Sequence, residues 1–290
     1  MSKHILNFIY VTRLNKPIGF LLLFWPCSWG LSLALYFDKN FTIFFYYLIL
    51  FFFGSVLMRS AGCIVNDIVD EKIDKKVERT KDRPIASGKL NKSLAWVYVL
   101  ILCTLALLVL IQFNFLTISL GAFSMIFAFS YPFMKRFTYW PQLFLGFTFN
   151  YGLIMAWFSI KPEFSYIPII FYIGAIFWTL AYDTIYGFQD IKDDEIIGVK
   201  STSIKFKKNP KLLIFICYSV FIFMQIISGL LMKFNYYYYI GIVIIAVHLL
   251  FYQTKNLDIS NPKICLEKFK ANNFLGLIVF VNILTNKIYL

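Results

Sequence analysis

Two segments of the chain carry carboxylates at the spacing of a helix. The first, NDIVDEKID, contains Asn66, Asp67, Asp70 and Asp74. Asn66, Asp70 and Asp74 follow one another at intervals of four residues, and Asp67 precedes Asp70 by three, so the spacing predicts one shared helical face. Carboxylates on one face repel one another unless a cation lies between them. We therefore expect this segment to hold a cation.

The second segment, DTIYGFQDIKDD, has a similar arrangement. Asp183, Tyr186 and Asp190 stand at positions i, i+3 and i+7, Asp194 follows four residues later, and Gln189 flanks them. This spacing predicts a second helical face of acids.

The chemistry of both clusters favours magnesium and a diphosphate. Mg²⁺ prefers hard oxygen ligands and commonly shares one or two carboxylates with phosphate oxygens and water. Nearby basic side chains would contact the outer phosphate oxygens; they are Lys72, Lys75, Arg79, Lys81, Arg83 and Lys200. The alternative is a set of solvated loop charges with ordinary salt bridges. Two copies of the motif, each following an apolar run, argue against that alternative.

The apolar runs that must position these acids place the chain in a membrane. Sixty per cent of its residues are hydrophobic and 15% are charged, whereas a soluble domain carries about 25% charged residues. A helix needs about 20 apolar residues to cross a bilayer core. Nine blocks approach that length: 18–36, 41–63, 94–113, 115–133, 138–160, 165–188, 211–233, 235–253 and 272–290. We expect an all-α integral membrane protein with nine transmembrane helices.

The net charge of +13 follows this topology and does not indicate a nucleic-acid partner. With a cytoplasmic N-terminus and nine spans, 23 Lys and Arg residues lie in inside segments and 4 in outside segments, as the positive-inside rule predicts. Both acid-rich segments then face the cytoplasm. The N-terminus lacks the features of a cleaved signal or transit peptide, which favours a bacterial inner membrane. The five cysteines are scattered, without the spacing of a metal or disulfide framework.

The order of the segments predicts a single polytopic domain over residues 1–290. No Pro-, Gly- or Ser-rich linker divides the chain. The long inside segments 64–93 and 189–211 follow the second and sixth apolar blocks, which suggests two four-helix halves followed by a ninth helix. Coincidence is the alternative, because the halves share little sequence elsewhere.

At the level of motifs, the chain resembles the UbiA-type membrane aromatic prenyltransferases. NDIVDEKID and DTIYGFQDIKDD resemble the two aspartate motifs of that superfamily, and the flanking strings RLNKPIG, RTKDRPIASG and YPFMKR look most like the branch that prenylates 4-hydroxybenzoate. Asn15 departs from that branch, which often has Asp there. The resemblance implies helices around a central cavity, Mg²⁺, and transfer of a polyprenyl group from its diphosphate to C3 of 4-hydroxybenzoate, in ubiquinone synthesis. No obligate protein partner is evident from the sequence.

This chemistry assigns expected roles to particular residues. The metal ligands would be Asn66, Asp67, Asp70, Asp74, Asp190 and Asp194, and the substrate contacts would be Lys72, Arg79, Arg83, Lys135, Tyr186 and Lys200. Asp190 or Asp183 would act as general base. Arg59 or Arg136 would hold the acceptor carboxylate, because a guanidinium binds carboxylates through two parallel hydrogen bonds. Snorkelling of Arg59 to the interface and anchoring of a helix end by Arg136 are the alternatives.

Two other functions fit some of these features. Another member of the superfamily, such as a haem farnesyltransferase or an enzyme of the menaquinone or tocopherol type, would share both acid motifs; only the flanking strings discriminate. A divalent-cation transporter would also place acids on membrane helices, but near the middle of the membrane and often at half-helix breaks. Here both clusters lie at one level and carry basic residues, which disfavours transport.

Overall fold

The computed structural model describes residues 3–288, which form thirteen α-helices and no strands. These are α1 (Lys3–Thr12), α2 (Ile18–Asp38), α3 (Phe41–Asp74), α4 (Lys92–Leu110), α5 (Phe115–Ser130), α6 (Met134–Phe137), α7 (Pro141–Ile160), α8 (Tyr166–Gly187), α9 (Ile191–Ile197), α10 (Thr202–Lys205), α11 (Pro210–Leu231), α12 (Tyr236–Ala246) and α13 (Pro262–Ile288). Short 3₁₀ turns, Tyr131–Phe133 and Phe188–Asp190, follow α5 and α8, and α12 continues as a π-helix over Val247–Lys255.

Eight helical segments in this part of the chain are long and apolar enough to cross a membrane. They begin within three residues of the first eight predicted blocks, which confirms the all-helical membrane fold, although Phe41–Asp74 and Tyr166–Ile197 extend 11 and 9 residues beyond the predicted ends. The count of nine is not confirmed. The ninth block lies in α13, which begins ten residues earlier and carries charges in its first turns, at Lys263, Glu267, Lys268 and Lys270. The last two residues of that block, 289–290, lie outside the described residues.

Polar side chains begin several of these helices, because the first backbone N–H groups of a helix have no partner within it. The side-chain oxygens of Asn40, Asn91 and Asn114 accept hydrogen bonds from backbone N–H groups of α3, α4 and α5, respectively. Such N-caps stabilise a helix by about 1 kcal/mol. Asn40 and Asn114 lie in short connections between consecutive spans, whereas Asn91 ends the longer segment between α3 and α4.

The helices pack around an aromatic core. Trp29 of α2 contacts Trp178 of α8 with ring centroids 5.0 Å apart, and Trp178 stacks on Phe221 of α11. A Cβ atom at Gly30 would collide with the backbone carbonyl of Leu153, so glycine is what lets α2 and α7 approach closely at this point. The core thus holds α2, α7, α8 and α11 in fixed relation around the side chains described below.

A buried polar network ties α13 to the same core. Asn272 accepts a 2.8 Å hydrogen bond from the Trp178 indole and donates one of 3.0 Å to Gln253, which in turn accepts from Tyr218 at 2.6 Å. In lipid every polar group must find its partner within the protein. The network therefore helps to hold α13 against α8 and α11.

Replacing Asn272 with alanine tests the network. The substitution leaves the Trp178 and Gln253 side chains without their buried partners, so we expect the free energy of unfolding to fall by about 1–3 kcal/mol. Thermal unfolding in detergent measures the change. Asn256→Ala, in the exposed loop after the π-helix, is the control, and equal melting temperatures for the two variants would contradict the prediction.

Candidate active site

The first acidic motif forms the last turns of α3. Asp67, Asp70 and Asp74 are at most 5% exposed, and together with Asn66 they line a cavity. α3 is one continuous helix of 34 residues from Phe41 to Asp74, so the same rigid element that crosses the membrane presents these side chains. The predicted helical face of the first motif is therefore present in the structure.

The second motif departs from the predicted continuous helix. α8 ends at Gly187, a 3₁₀ turn covers Phe188–Asp190, and α9 begins at Ile191. Gly198, with φ 81°, ends α9 in the left-handed conformation that glycine adopts without strain. Despite the interruption, the four predicted side chains line the same cavity as the first motif; they are Asp183, Tyr186, Asp190 and Asp194.

The cavity has a volume of about 1670 Å³ and is lined by residues of the helices α1 to α9 and of α13. Its acidic end, formed by the carboxylates above, is polar. Its other walls are apolar and reach Phe51, Leu110, Phe113 and Met155. Phe51 and Asp67 are sixteen residues apart on α3, about 24 Å along the helix axis. The cavity thus joins a charged mouth to a long apolar interior.

Basic side chains neutralise four of the acids. One Arg13 nitrogen lies 2.8 Å from both carboxylate oxygens of Asp67. Arg83 donates to Asp67 at 3.1 Å and to Asp74 at 2.8 Å. Lys135 binds Asp70.

The fourth acid, Asp190 of the second motif, is paired with a residue of the loop that follows the first motif. Arg79 binds Asp190 and donates a 3.0 Å hydrogen bond to the Tyr186 hydroxyl. Burial acts to lower the pKa of Arg79, but its hydrogen bonds to Asp190 and Tyr186 outweigh that effect and raise it. The guanidinium therefore remains charged at every physiological pH. The backbone N–H of Glu78 also donates to Asp193, at 3.2 Å, so the two loops contact each other above the cavity.

Deeper in the cavity lies a second polar group around Arg59. Its guanidinium stands 5.3 Å from the Phe149 ring centroid, and its Nε atom is buried without a hydrogen-bond partner in the described part of the chain. Asp183 and Tyr131, which also line the cavity, interact with it electrostatically. A Cβ atom at Gly19 would lie 2.8 Å from this Nε, so the glycine provides the space for the guanidinium. A buried cation with an unused donor is suited to an anionic ligand.

The remaining predicted side chains are divided between the cavity and the surface. Lys200 lines the cavity, and its ammonium donates to the Phe137 carbonyl at 3.3 Å. Lys72 is exposed and does not contribute to the lining. Arg136 also lies outside the lining and donates to the Val69 carbonyl at 2.8 Å, while its guanidinium is 3.7 Å from Asp70. Arg59 is thus the better placed of the two predicted arginines.

The prediction of site residues missed four basic residues of the cavity lining: Arg13, Lys16, Lys89 and Lys270. Arg13 has φ 61°, an uncommon backbone conformation for a side-chain-bearing residue, in the bend between α1 and α2. Lys16, in the same bend, also lines the cavity, and burial together with the nearby charge of Arg13 lowers its pKa. Arg13 and Lys16 lie in the string RLNKPIG, which carries part of the family resemblance, but no spacing of charges marks them as site residues.

The donor set fits a divalent metal ion shared with phosphate. Within residues 3–288 no three His, Cys, Asp or Glu side chains converge into a metal cage made by the protein alone. However, the buried Oδ1 of Asp70 accepts no hydrogen bond from the described residues, and the available donors are carboxylate oxygens. Mg²⁺ uses such carboxylates singly or in pairs and completes its shell with phosphate and water. The residues present therefore fit the metal implied by the motifs.

A charged mouth and an apolar interior within membrane helices define a multi-pass membrane enzyme for a substrate with an anionic head and an apolar tail. The family model described as UbiA prenyltransferase family matches residues 23–278. The chain belongs to that family, and the predicted membership is confirmed.

Relatives and solved structures agree with this assignment. The 4-hydroxybenzoate polyprenyltransferase, mitochondrial, of Bos taurus is 41% identical over 281 residues, which cover 95% of this chain and 74% of the relative. The apo structure of a UbiA homolog from Aeropyrum pernix K1 has a TM-score of 0.76 at 19% identity and covers 91% of this chain and 97% of that one. A UbiA homolog from Archaeoglobus fulgidus bound to GPP and Mg²⁺ has a TM-score of 0.69 at 15% identity, with 96% and 99% covered.

Proposed function

We propose that this prenyltransferase transfers a polyprenyl group from polyprenyl diphosphate to C3 of 4-hydroxybenzoate, for ubiquinone synthesis. The observation that carries the proposal is a single cavity holding two separate sets of charges. The acids and bases of the mouth suit a metal-bound diphosphate, and the buried Arg59 suits a small carboxylate. Relatives named for this reaction at about 40% identity support the choice of acceptor.

The mouth would bind the diphosphate head. Asp67, Asp70 and Asp74, with Asn66 beside them, form one proposed set of Mg²⁺ ligands, and Asp190 and Asp194 form the other. When bound, Mg²⁺ would supply positive charge that stabilises the departing diphosphate. A solved homolog with GPP and Mg²⁺ bound has the same fold. Four basic side chains would hold the phosphate oxygens; these are Arg79, Arg83, Lys135 and Lys200.

The interior would orient the acceptor and protect the reaction from water. Arg59 would hold the carboxylate of 4-hydroxybenzoate by paired hydrogen bonds. The bond between the allylic carbon and the diphosphate oxygen breaks, and its electron pair leaves with the diphosphate. Ring C3 forms the new bond to that carbon, and the C3 proton passes to Asp183 or Asp190 as general base. Apolar walls keep water from the allylic cation.

The orientation in the membrane is also part of the proposal. We propose a bacterial inner membrane as the location. Within it, we place the N-terminus and the acidic mouth on the cytoplasmic side, because 23 of the Lys and Arg residues then lie in inside segments. The named relatives are mitochondrial proteins. Reporter fusions after Lys161 and after Lys207 test the orientation, since only the second should report from the cytoplasmic side.

An acceptor assay tests the proposed reaction. Membranes that contain the protein would receive radiolabelled 4-hydroxybenzoate, a prenyl diphosphate and Mg²⁺, and we expect a labelled lipid product that EDTA abolishes. The metal requirement follows from the carboxylates of the mouth, which repel a diphosphate without a bridging cation.

A parallel reaction with a dihydroxynaphthoate acceptor distinguishes the menaquinone-type alternative. Product from that acceptor alone, or no product from 4-hydroxybenzoate with Mg²⁺ present, would contradict the proposal. Membranes without the protein provide the background.

A further inference from the structure

At the mouth of the cavity, four acidic and four basic side chains form ion pairs and neutralise one another's charge. Asp67, Asp70, Asp74 and Asp190 are the acids; Arg13, Arg79, Arg83 and Lys135 are the bases. Three of these acids are almost completely buried, so each pair lies where charge interactions are screened less than in bulk water. Four of the five acids proposed as metal ligands are therefore paired with the chain's own cations.

This arrangement disfavours the binding of a divalent cation without a diphosphate, and of a diphosphate without a divalent cation. A divalent cation that approaches Asp67 meets two guanidinium groups, since Arg13 and Arg83 both lie within 3.1 Å of its carboxylate. A diphosphate that approaches Arg79 or Lys135 meets the carboxylates of Asp190 and Asp70 in the same way. Like charges a few ångströms apart repel strongly in a partly buried site.

Binding of the metal ion and the diphosphate together removes this repulsion between like charges. If the diphosphate oxygens take the four bases, the carboxylates are released for the metal ions, and every charge again has a partner of opposite sign. The contacts that are broken and those that are formed are both charge-assisted hydrogen bonds or metal–carboxylate contacts. The exchange therefore costs little when both ligands are present and much when one is missing.

We propose that Arg13 and Arg79 are exchange residues, which hold Asp67 and Asp190 in the ligand-free enzyme and transfer to the diphosphate when metal and diphosphate bind together. This inference deepens the proposed function, on which it rests. Arg13 is suited to the role because it comes from the bend before α2 and pairs with an acid 54 positions away. Arg79 is suited because its pair joins the loop after the first acidic motif to the second motif. Binding of metal and diphosphate is then coupled, and the coupling is reciprocal.

The test measures the binding of each ligand alone. The full chain in nanodiscs is titrated calorimetrically with MgCl₂, and in a separate experiment with pyrophosphate in metal-free buffer. Arg13→Gln removes one competing cation from Asp67. We expect it to bind Mg²⁺ alone at least about fivefold more tightly than the wild type, within the usual range of coupling between sites, and to bind pyrophosphate alone more weakly.

Arg79→Gln should produce the same pair of changes through Asp190, and it provides the test if the Arg13 variant does not fold. Lys76→Gln is the matched control, because it removes one exposed positive charge two residues after Asp74 but outside the cavity. It should change neither affinity by more than about twofold, since exposed charges are screened by salt.

Unchanged or weaker binding of Mg²⁺ alone in both arginine variants would overturn the exchange, because a merely structural arginine would weaken both ligands together. No acceptor is present in these titrations. Failure of the exchange is therefore distinguishable from failure of the proposed reaction, which appears as a missing product in wild-type membranes.

Discussion

Asp70→Asn should lower kcat/KM for the prenyl diphosphate by about 10²–10³-fold, the usual loss when one electrostatic contact to a transition state is removed. Asp70 is 1% exposed, and its Oδ1 accepts no hydrogen bond from residues 3–288. This oxygen therefore keeps its lone pairs free for a metal ion. The substitution preserves the shape of the side chain and removes its charge. The Mg²⁺ concentration that gives half-maximal rate should rise in the same variant.

The neighbouring acid provides a matched control. Glu71 follows Asp70 on α3 but pairs with Lys75 and Lys92 and does not line the cavity. Glu71→Gln should retain activity within about twofold, because exposed salt bridges contribute little. A wild-type Mg²⁺ dependence in Asp70→Asn, or equal losses in both variants, would remove Asp70 from the proposed metal site.

Much of the fold was predictable because its main determinant is local. A run of about 20 apolar residues identifies a membrane helix without reference to the rest of the chain, and α2 and α4 begin within two residues of their predicted starts. The first acidic motif was equally predictable, since the spacing of Asp67, Asp70 and Asp74 indicates one helical face. The turn at Phe188–Asp190 was not predicted, because the same spacing also fits an uninterrupted helix.

The ion pairs at the mouth could not be predicted from the spacing of residues along the sequence. Asp67 and Arg13 are 54 positions apart and Arg79 and Asp190 are 111 apart, so their contacts depend on how helices pack. Lys72 illustrates the converse error: it lies within the motif in sequence but points away from the cavity. Proximity along a helix predicts a shared face only at intervals of three or four residues, and Lys72 is two residues from both Asp70 and Asp74.

The mouth also explains how so many carboxylates are tolerated at the end of membrane helices. A charge within the bilayer is costly, and the cost falls when the charge faces a cavity and has a partner. Asp67, Asp70 and Asp74 satisfy both conditions. The bases that stabilise the ligand-free protein are the same side chains that the proposed diphosphate would use. One set of arginines and lysines would therefore serve both the stability of the ligand-free protein and the binding of the substrate.

Arg59→Met should lower kcat/KM for 4-hydroxybenzoate by about 10²-fold, because hydrogen bonds to a charged group contribute about 1.5–3 kcal/mol each. Arg59 lies deep in the cavity, away from the ion pairs of the mouth, so the KM for the prenyl diphosphate should remain within about twofold. Arg59→Lys should give an intermediate loss, since an ammonium keeps the charge but cannot offer two parallel donors. Steady-state kinetics with each substrate varied in turn separates these effects.

An uncharged acceptor makes the assignment of Arg59 specific. With 4-hydroxybenzamide the carboxylate is absent, so the wild type should lose most of its advantage over Arg59→Met, and the ratio of their kcat/KM values should approach one. The melting temperature of each variant shows whether the fold is retained. A loss of the same size with both acceptors would mean that Arg59 acts on the fold or on Asp183 and not on the acceptor carboxylate. The role of this buried arginine is therefore decided by comparing two ratios: the kcat/KM of the wild type over that of Arg59→Met with 4-hydroxybenzoate, and the same ratio with 4-hydroxybenzamide.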